Sequence, residues 1–262
     1  IMVKEKANKR FRNLTISLII PLLIIVIWEF SVRFGFLPNT LIASPFKVVT
    51  DFFVLLGNGK LLLHSFFSLY RLVLGFGIGT LIGLVLGIIV GVSKFGEKLI
   101  SPTLQLLAPI PPIAWIPLLI IIFGIGEASK ILLISIAALI VVFVNTVQGI
   151  RSTDQKLVEV ANSYGKSDKD LITKILIPSA IPQIFTGMRV ALGLSWILLI
   201  AAEVIVSTNG LGWLIWDARN FSRPDDLIVG MITIGIWGKL SDILLVKIEG
   251  KLTKWKRSFR GK

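Results

Sequence analysis

The sequence predicts an all-α polytopic membrane protein: six transmembrane helices with a polar, cytoplasmic helical loop between the fourth and the fifth. Three observations carry this. Of the 262 residues, 54% are hydrophobic and only 16% charged, whereas soluble domains average about 25% charged residues. Apolar runs of membrane-spanning length recur and are continuous rather than alternating, which favours helices over a barrel. One central stretch, Leu157 to Pro178 (LVEVANSYGKSDKDLITKILIP), is too polar for a bilayer and has apolar runs on both sides.

In chain order, residues 1–13 form a basic tail with Lys4, Lys6, Lys9, Arg10 and Arg12. An apolar run from 14 to 34 follows. It is longer than a signal-peptide core and lacks a small-residue cleavage site, so it reads as an uncleaved first span, with Glu29 at its interface. Residues 35–64 hold a turn at Leu37-Pro38-Asn39 and then Ser44-Pro45, where Ser44 suits an N-cap and Pro45 the first helical position. Phe46, Val49, Phe52 and Phe53 then share a face, as in a short amphipathic helix on the membrane.

Residues 65–246 form the core. The second span, 65–92, carries glycine at 75, 79, 83, 87 and 91, a smooth stripe that lets another helix approach closely. The third, 99–123, contains Pro102, Pro109, Pro111, Pro112 and Pro117. The run from Ala108 to Trp115 cannot be regular helix, because each proline removes a donor and clashes with the preceding turn. Irregular backbone at membrane depth belongs inside protein or beside a wet cavity. The fourth span covers 129–150, the fifth 180–206 with Glu203, and the sixth 226–246. Residues 247–262 form a second basic tail. Lys239 and Asp242, three apart on the last span, read as a local ion pair.

Charge sets the orientation. Twenty of the 28 Lys and Arg residues fall in the two tails, the 93–98 turn and the 151–189 segment, which includes Arg189. Seven (Arg33, Lys47, Lys60, Arg71, Lys130, Arg219 and Arg223) fall in the opposite set, and Lys239 lies within the last span. By the positive-inside rule both termini and the 157–178 loop are cytoplasmic. The net charge of +13 thus reflects topology rather than nucleic-acid binding.

Several chemistries are absent. The chain has no cysteine and a single histidine, His64, which excludes disulfides, thiol chemistry and paired-histidine metal sites. There is no GxxxxGK[ST] phosphate loop and no GxSxG elbow, so neither that mode of ATP binding nor that mode of nucleophilic catalysis is available.

The central loop reads as two short helices. Residues 153–164 form the first, with Asp154 near its start, and Gly165 makes the sharp turn. Residues 167–176 form the second, with Ser167 as N-cap and Asp170 three residues on. Pro178 is expected to break the run and start the turn into the fifth span.

The order Glu159-Val160-Ala161, Gly165, Ile175-Leu176-Ile177-Pro178 resembles the EAA-loop motif of bacterial ABC-importer permease subunits, with Val160 for an alanine and Ile177 for a leucine. Gly75–Gly91, Pro109–Pro117, the run Phe123 to Lys130 and Asp217-Ala218-Arg219-Asn220 resemble the nitrate, sulfonate and taurine branch. The resemblance covers nearly the whole chain from Ser44. It implies that the loop is a coupling helix docking on a separate ABC ATPase subunit through Glu159, Ala161, Gly165, Ile175 and Pro178. It also implies a permease homodimer and an extracytoplasmic solute-binding protein; Asp217 and Arg219, in the outer loop, are candidates either for contacting that protein or for a surface ion pair. The expected site is the bacterial cytoplasmic membrane. No cofactor or metal is expected on this chain; ATP and Mg are used by the partner ATPase.

On that reading, Gln105, Pro111, Pro112, Trp115, Ser195 and Glu203 are the candidates for lining the pathway. A carboxylate inside a span is costly, so Glu203 leads. The expected cargo is a small solute such as a sulfonate, taurine or nitrate. The alternatives are a thiamine-precursor pyrimidine or other small organic nutrient and, in a different class, a secondary transporter driven by an ion gradient, for which inverted repeats would speak. A membrane scaffold is a third class.

Overall fold

The computed structural model describes residues 19–38 and 40–253, and every regular element among them is helical. The tail expected at 1–13, the first residues of the first span and the end of the 247–262 tail lie outside the described residues. The chain divides into two compact units, Ile1–Leu62 with Leu214–Ile232, and Leu63–Trp213 with Thr233–Lys262.

In the first unit, helix α1 covers 19–33 and α2 covers Pro45–Gly57. The Ser44 hydroxyl accepts the Lys47 N–H at 3.3 Å, with Pro45 in the first turn: the cap read from the sequence is made. Glu29 pairs with Arg33 at 3.1 Å and accepts the Phe46 N–H at 3.1 Å, joining the end of α1 to the start of α2. Val48 and Leu55 are the buried residues of α2, whereas Phe46, Val49 and Phe53 are exposed, so its apolar face is turned away from the chain. Within this unit Lys47 reaches Asp225 at 2.7 Å.

The long apolar helices are α3 (Lys60–Val92), α6 (Glu127–Arg151), the helix from Asp168 to Val206, and α11 (Pro224–Leu252). These four are long and apolar enough to cross a membrane. A fifth candidate is bent: α4 (Lys94–Leu107) and the segment Pro112–Phe123, a 3₁₀ turn (Pro112–Trp115) running into α5 (Ile116–Phe123), meet at 86°. The bend falls on the proline run, where missing donors forbid a continued ladder. The described residues thus hold four span-length helices and one bent pair, and the start of the first of the six expected spans lies outside them.

The glycine stripe of α3 is consumed by α6. A Cβ on Gly79 would lie 2.2 Å from the Ser135 carbonyl oxygen, and one on Gly87 would lie 2.6 Å from the Thr146 Cβ. The two backbones therefore sit closer than any side chain allows. Lipid tails are as apolar as leucine, so spans associate through such van der Waals contact rather than through hydrophobic burial. α6 also packs along the 168–206 helix. Ala138 and Val142 meet Ala191, and Ile150 meets Ala180 and Ile184. A Cβ on Gly187 would strike Asn145 at 2.3 Å, and the Asn145 amide oxygen accepts from Gln183 at 3.0 Å.

Two expectations are corrected here. Pro178 does not end a helix. Helix α8 (Asp168–Leu171) passes through a π-helical turn, Ile172–Leu176, into α9 (Ile177–Val206) as one 39-residue helix. Pro178 has no N–H and crowds the carbonyl four residues back. The widened turn, in which Ile177 N–H bonds the Ile172 carbonyl, accommodates it. The expected Lys239–Asp242 pair is present at 3.7 Å, and Arg189 on α9 holds the same carboxylate more closely, at 2.7 Å. Arg189 sits well inside α9 rather than in the loop.

Candidate functional site

The corner formed by α7 (Gln155–Ser163) and α8 is built by local rules. Asp154 caps α7, its carboxylate accepting the Lys156 N–H at 2.9 Å. Tyr164 closes the helix, and Gly165 turns left-handed at φ +65°. Two bonds complete the end: Lys166 N–H to the Ala161 carbonyl at 3.1 Å, and Gly165 N–H to the Asn162 carbonyl at 2.9 Å. This paired pattern needs a residue at ease in the left-handed region, hence glycine. Ser167 then caps α8, its hydroxyl accepting the Asp170 N–H at 3.2 Å, and Lys174 pairs with Asp170 at 2.6 Å.

The corner's side chains divide by burial. Glu159 and Gly165 are exposed. Ala161 is only 4% exposed, so it holds α7 against its own unit and offers no surface; its smallness serves packing. Ile175 and Pro178 are half-buried. The sequence reading passed over the apolar face that α7 shows outward: Leu157, Val160 and Tyr164, the last 80% exposed. Their spacing of three and four was the available signal, because it places them on one helix face. At the base of the corner Arg151 pairs with Glu97 of α4 at 2.8 Å and donates to the Val90 carbonyl at 3.3 Å, tying three helix ends together.

At the far end of the same unit lies a buried ion network. Arg71 on α3 is 1% exposed and Glu203 on α9 is 0% exposed. The guanidinium donates from Nη1 to Glu203 at 2.7 Å and to the Asn209 carbonyl at 2.7 Å, and from Nε and Nη2 to both oxygens of Glu127 at 2.6 and 2.8 Å. Glu203 also accepts from the Ser68 hydroxyl at 2.8 Å and the Gly212 N–H at 2.8 Å. Lys130 completes the set at 2.9 Å from Glu127. Two cations thus face two carboxylates, and nearly every donor has a named acceptor, which is the condition for a buried charge to be tolerated. Gly210 (φ +121°) is held where a Cβ would meet the Glu203 carboxylate at 2.3 Å, and its N–H is accepted by His64 Nδ1 at 3.1 Å. His64 is buried against the Trp213 ring.

Glu203 is therefore enclosed and fully bonded. Ser195 is also 0% exposed, and its hydroxyl has no partner. Gln105 and Pro111 are exposed, while Pro112 and Trp115 are half-buried, the Trp115 N–H being unpaired. The six pathway candidates thus range from fully enclosed (Ser195, Glu203) to exposed (Gln105, Pro111), and Trp115 packs against the buried cluster that includes Leu198 and Ala202 of α9. On α10 (Leu211–Asn220), Asp217 pairs with Arg223, which also reaches Asp226 at 2.7 Å, while Arg219 stacks over the Trp216 ring at 5.4 Å. Among the described residues there is no group of three His, Cys, Asp or Glu side chains that could hold a metal.

Comparison with known proteins agrees with this architecture. The family described as the binding-protein-dependent transport system inner membrane component matches residues 79–249. The putative aliphatic sulfonates transport permease of Bacillus subtilis is 38% identical over 99% of this chain and 94% of its own. The taurine transport system permease of Escherichia coli is 30% identical over 97% and 98% of the two chains, and the nitrate import permease of a Synechocystis strain is 36% identical over 71% and 68%. Among solved structures, the MetNI methionine ABC transporter in an inward-facing conformation superposes with a TM-score of 0.63 over 72% of this chain and 94% of that one, at 17% identity; this likeness is one of fold.

Proposed function

The chain belongs to the family of binding-protein-dependent transport system inner membrane components, and from that premise we propose that it is the permease subunit of an ATP-driven importer of a small anionic solute, in the class of sulfonates, taurine and nitrate. Two copies would join two ABC ATPase subunits on the cytoplasmic side and a solute-binding protein on the other, each copy crossing the membrane six times with both termini cytoplasmic. The chain itself contributes no catalytic group; the ATPase subunits bind ATP and Mg.

The observation that carries the reading is the α7–α8 corner. A rigid, doubly capped pair of short helices presents Glu159, Leu157, Val160 and Tyr164 outward, and its second helix is the start of a 39-residue helix. A push on the corner therefore moves a membrane-crossing rod. A helix with apolar anchors at such spacing fits a hydrophobic groove on a partner. Pull-down of the ATPase subunit with a Val160→Asp, Tyr164→Asp double variant tests this. Loss of ATPase retention and of uptake, with unchanged membrane insertion, is the expected result. Full retention and uptake would sink the reading.

A further inference from the structure

Two cations sit in the middle of the second unit's long helices without full compensation. Arg189 is about 18 Å along α9 from its start and about 25 Å from its end, at 1.5 Å per residue; Lys239 lies near the midpoint of α11. Arg189 donates from Nε and Nη2 to the two oxygens of Asp242 at 2.7 and 3.3 Å, and Lys239 Nζ stands 3.7 Å from that carboxylate. Two positive charges thus flank one carboxylate, with Glu249 a more distant acid acting on Arg189. The side chains are also open: Arg189 is 45% exposed, Asp242 27% and Lys239 71%. A charge at mid-span facing lipid is expensive, and such residues face protein or a water-filled cavity.

The backbone beside them is bare. A Cβ on Gly193, one turn from Arg189, or on Gly235, one turn from Lys239, would meet nothing within 4 Å. The α3 stripe is the opposite case, each of its glycines being pressed against α6. Trp196, whose Nε1 donates to the Ser241 hydroxyl at 3.2 Å, braces α9 against α11 beside the ion pair.

We propose that Arg189 and Lys239, with Asp242 as internal counter-ion, form an anion-transfer site on the translocation pathway. This rests on the permease reading above and names the residues that would handle its cargo. The guanidinium presents two parallel N–H groups that fit two oxygens of a planar or tetrahedral oxyanion. Asp242 occupies that fork in this structure. An arriving anion takes Asp242's place on Arg189 while Lys239 supplies a further contact, and the carboxylate's return releases it. A transfer site must bind weakly enough to let go, and an internal competitor with a net charge of one provides that.

The chain has no native cysteine, so Gly193→Cys and Gly235→Cys variants of the ATPase-associated complex, in membranes, report directly on this face. Their rates of modification are compared for 2-sulfonatoethyl and 2-(trimethylammonio)ethyl methanethiosulfonate. The sulfonate reagent is expected to react roughly tenfold faster than the cationic one, corrected for the free thiol, because a cationic cleft concentrates anions. Adding Lys239→Gln, which leaves the Arg189–Asp242 pair in place, is expected to abolish most of that preference. If neither reagent reacts, the face is covered by lipid or a second copy and the site is rejected. A preference unmoved by Lys239→Gln rejects it too. A wild-type chain that fails to retain the ATPase rejects the permease reading instead, so the two failures are separable.

Discussion

Arg71 Nη1 lies 2.7 Å from Glu203 Oε1, and both side chains are buried. The pair joins α3 to α9 across 132 residues of sequence. Through Glu127, Asn209 and Gly212 it also holds the start of α6 and the 207–212 turn.

Removing one member is expected to be worse than removing both. Arg71→Met alone leaves the Glu203 carboxylate buried without its cation and should destabilise by about 3–5 kcal/mol. Arg71→Met with Glu203→Gln should recover much of that loss. Thermal unfolding of the detergent-solubilised complex checks this, and a double-variant loss equal to the sum of the Arg71→Met and Glu203→Gln losses would show that the charges are not coupled.

Gly79 and Gly77 give a paired test of helix approach. Gly79→Ala places a methyl against the Ser135 carbonyl and should cost about 1–3 kcal/mol. Gly77 faces open space, so Gly77→Ala should be neutral or stabilising by up to about 1 kcal/mol. Comparing the two melting temperatures separates packing from propensity.

At the α7–α8 corner, Gly165→Val forces a branched side chain into φ +65° and should cost roughly 1–2 kcal/mol locally. Gly165→Asn, which tolerates that region, should retain most ATPase binding and uptake. If valine and asparagine behave alike in the pull-down, the turn's conformation is not what matters.

The first unit should respond to pH through Asp51 on α2. Burial and the neighbouring Asp225 carboxylate raise the Asp51 carboxyl above its ordinary 3.8. A raised folded-state value means that the native form holds the proton more tightly. The contribution is therefore favourable below the unfolded value and is lost as pH climbs through the folded one. Asp51→Asn should flatten that decline and leave the unit no less stable near neutrality. A titration of stability against pH from about 4 upward reads the difference, and an unchanged slope in the variant counts against it.

Local features were legible because neighbours in sequence make them. Ser44, Ser167 and Gly165 cap or turn as their side chains and φ preferences dictate, and the prolines between Ala108 and Trp115 bend the third apolar run. The glycine spacing of α3 announced a close helix contact without naming the partner. Pro178 misled, because whether a proline ends a helix depends on whether the preceding turn can widen, and that is set by packing further along.

The sequence by itself determined that this chain is a bundle of apolar helices with one polar corner, since periodicity, caps and hydropathy act within a few residues. Only the tertiary structure decided that Glu203 is sealed by Arg71, that Ala161 faces inward while Tyr164 faces out, and that Asp242 answers to Arg189. Those outcomes depend on which helix faces meet, and partners 53 or 132 residues apart are chosen by three-dimensional packing that no local pattern encodes.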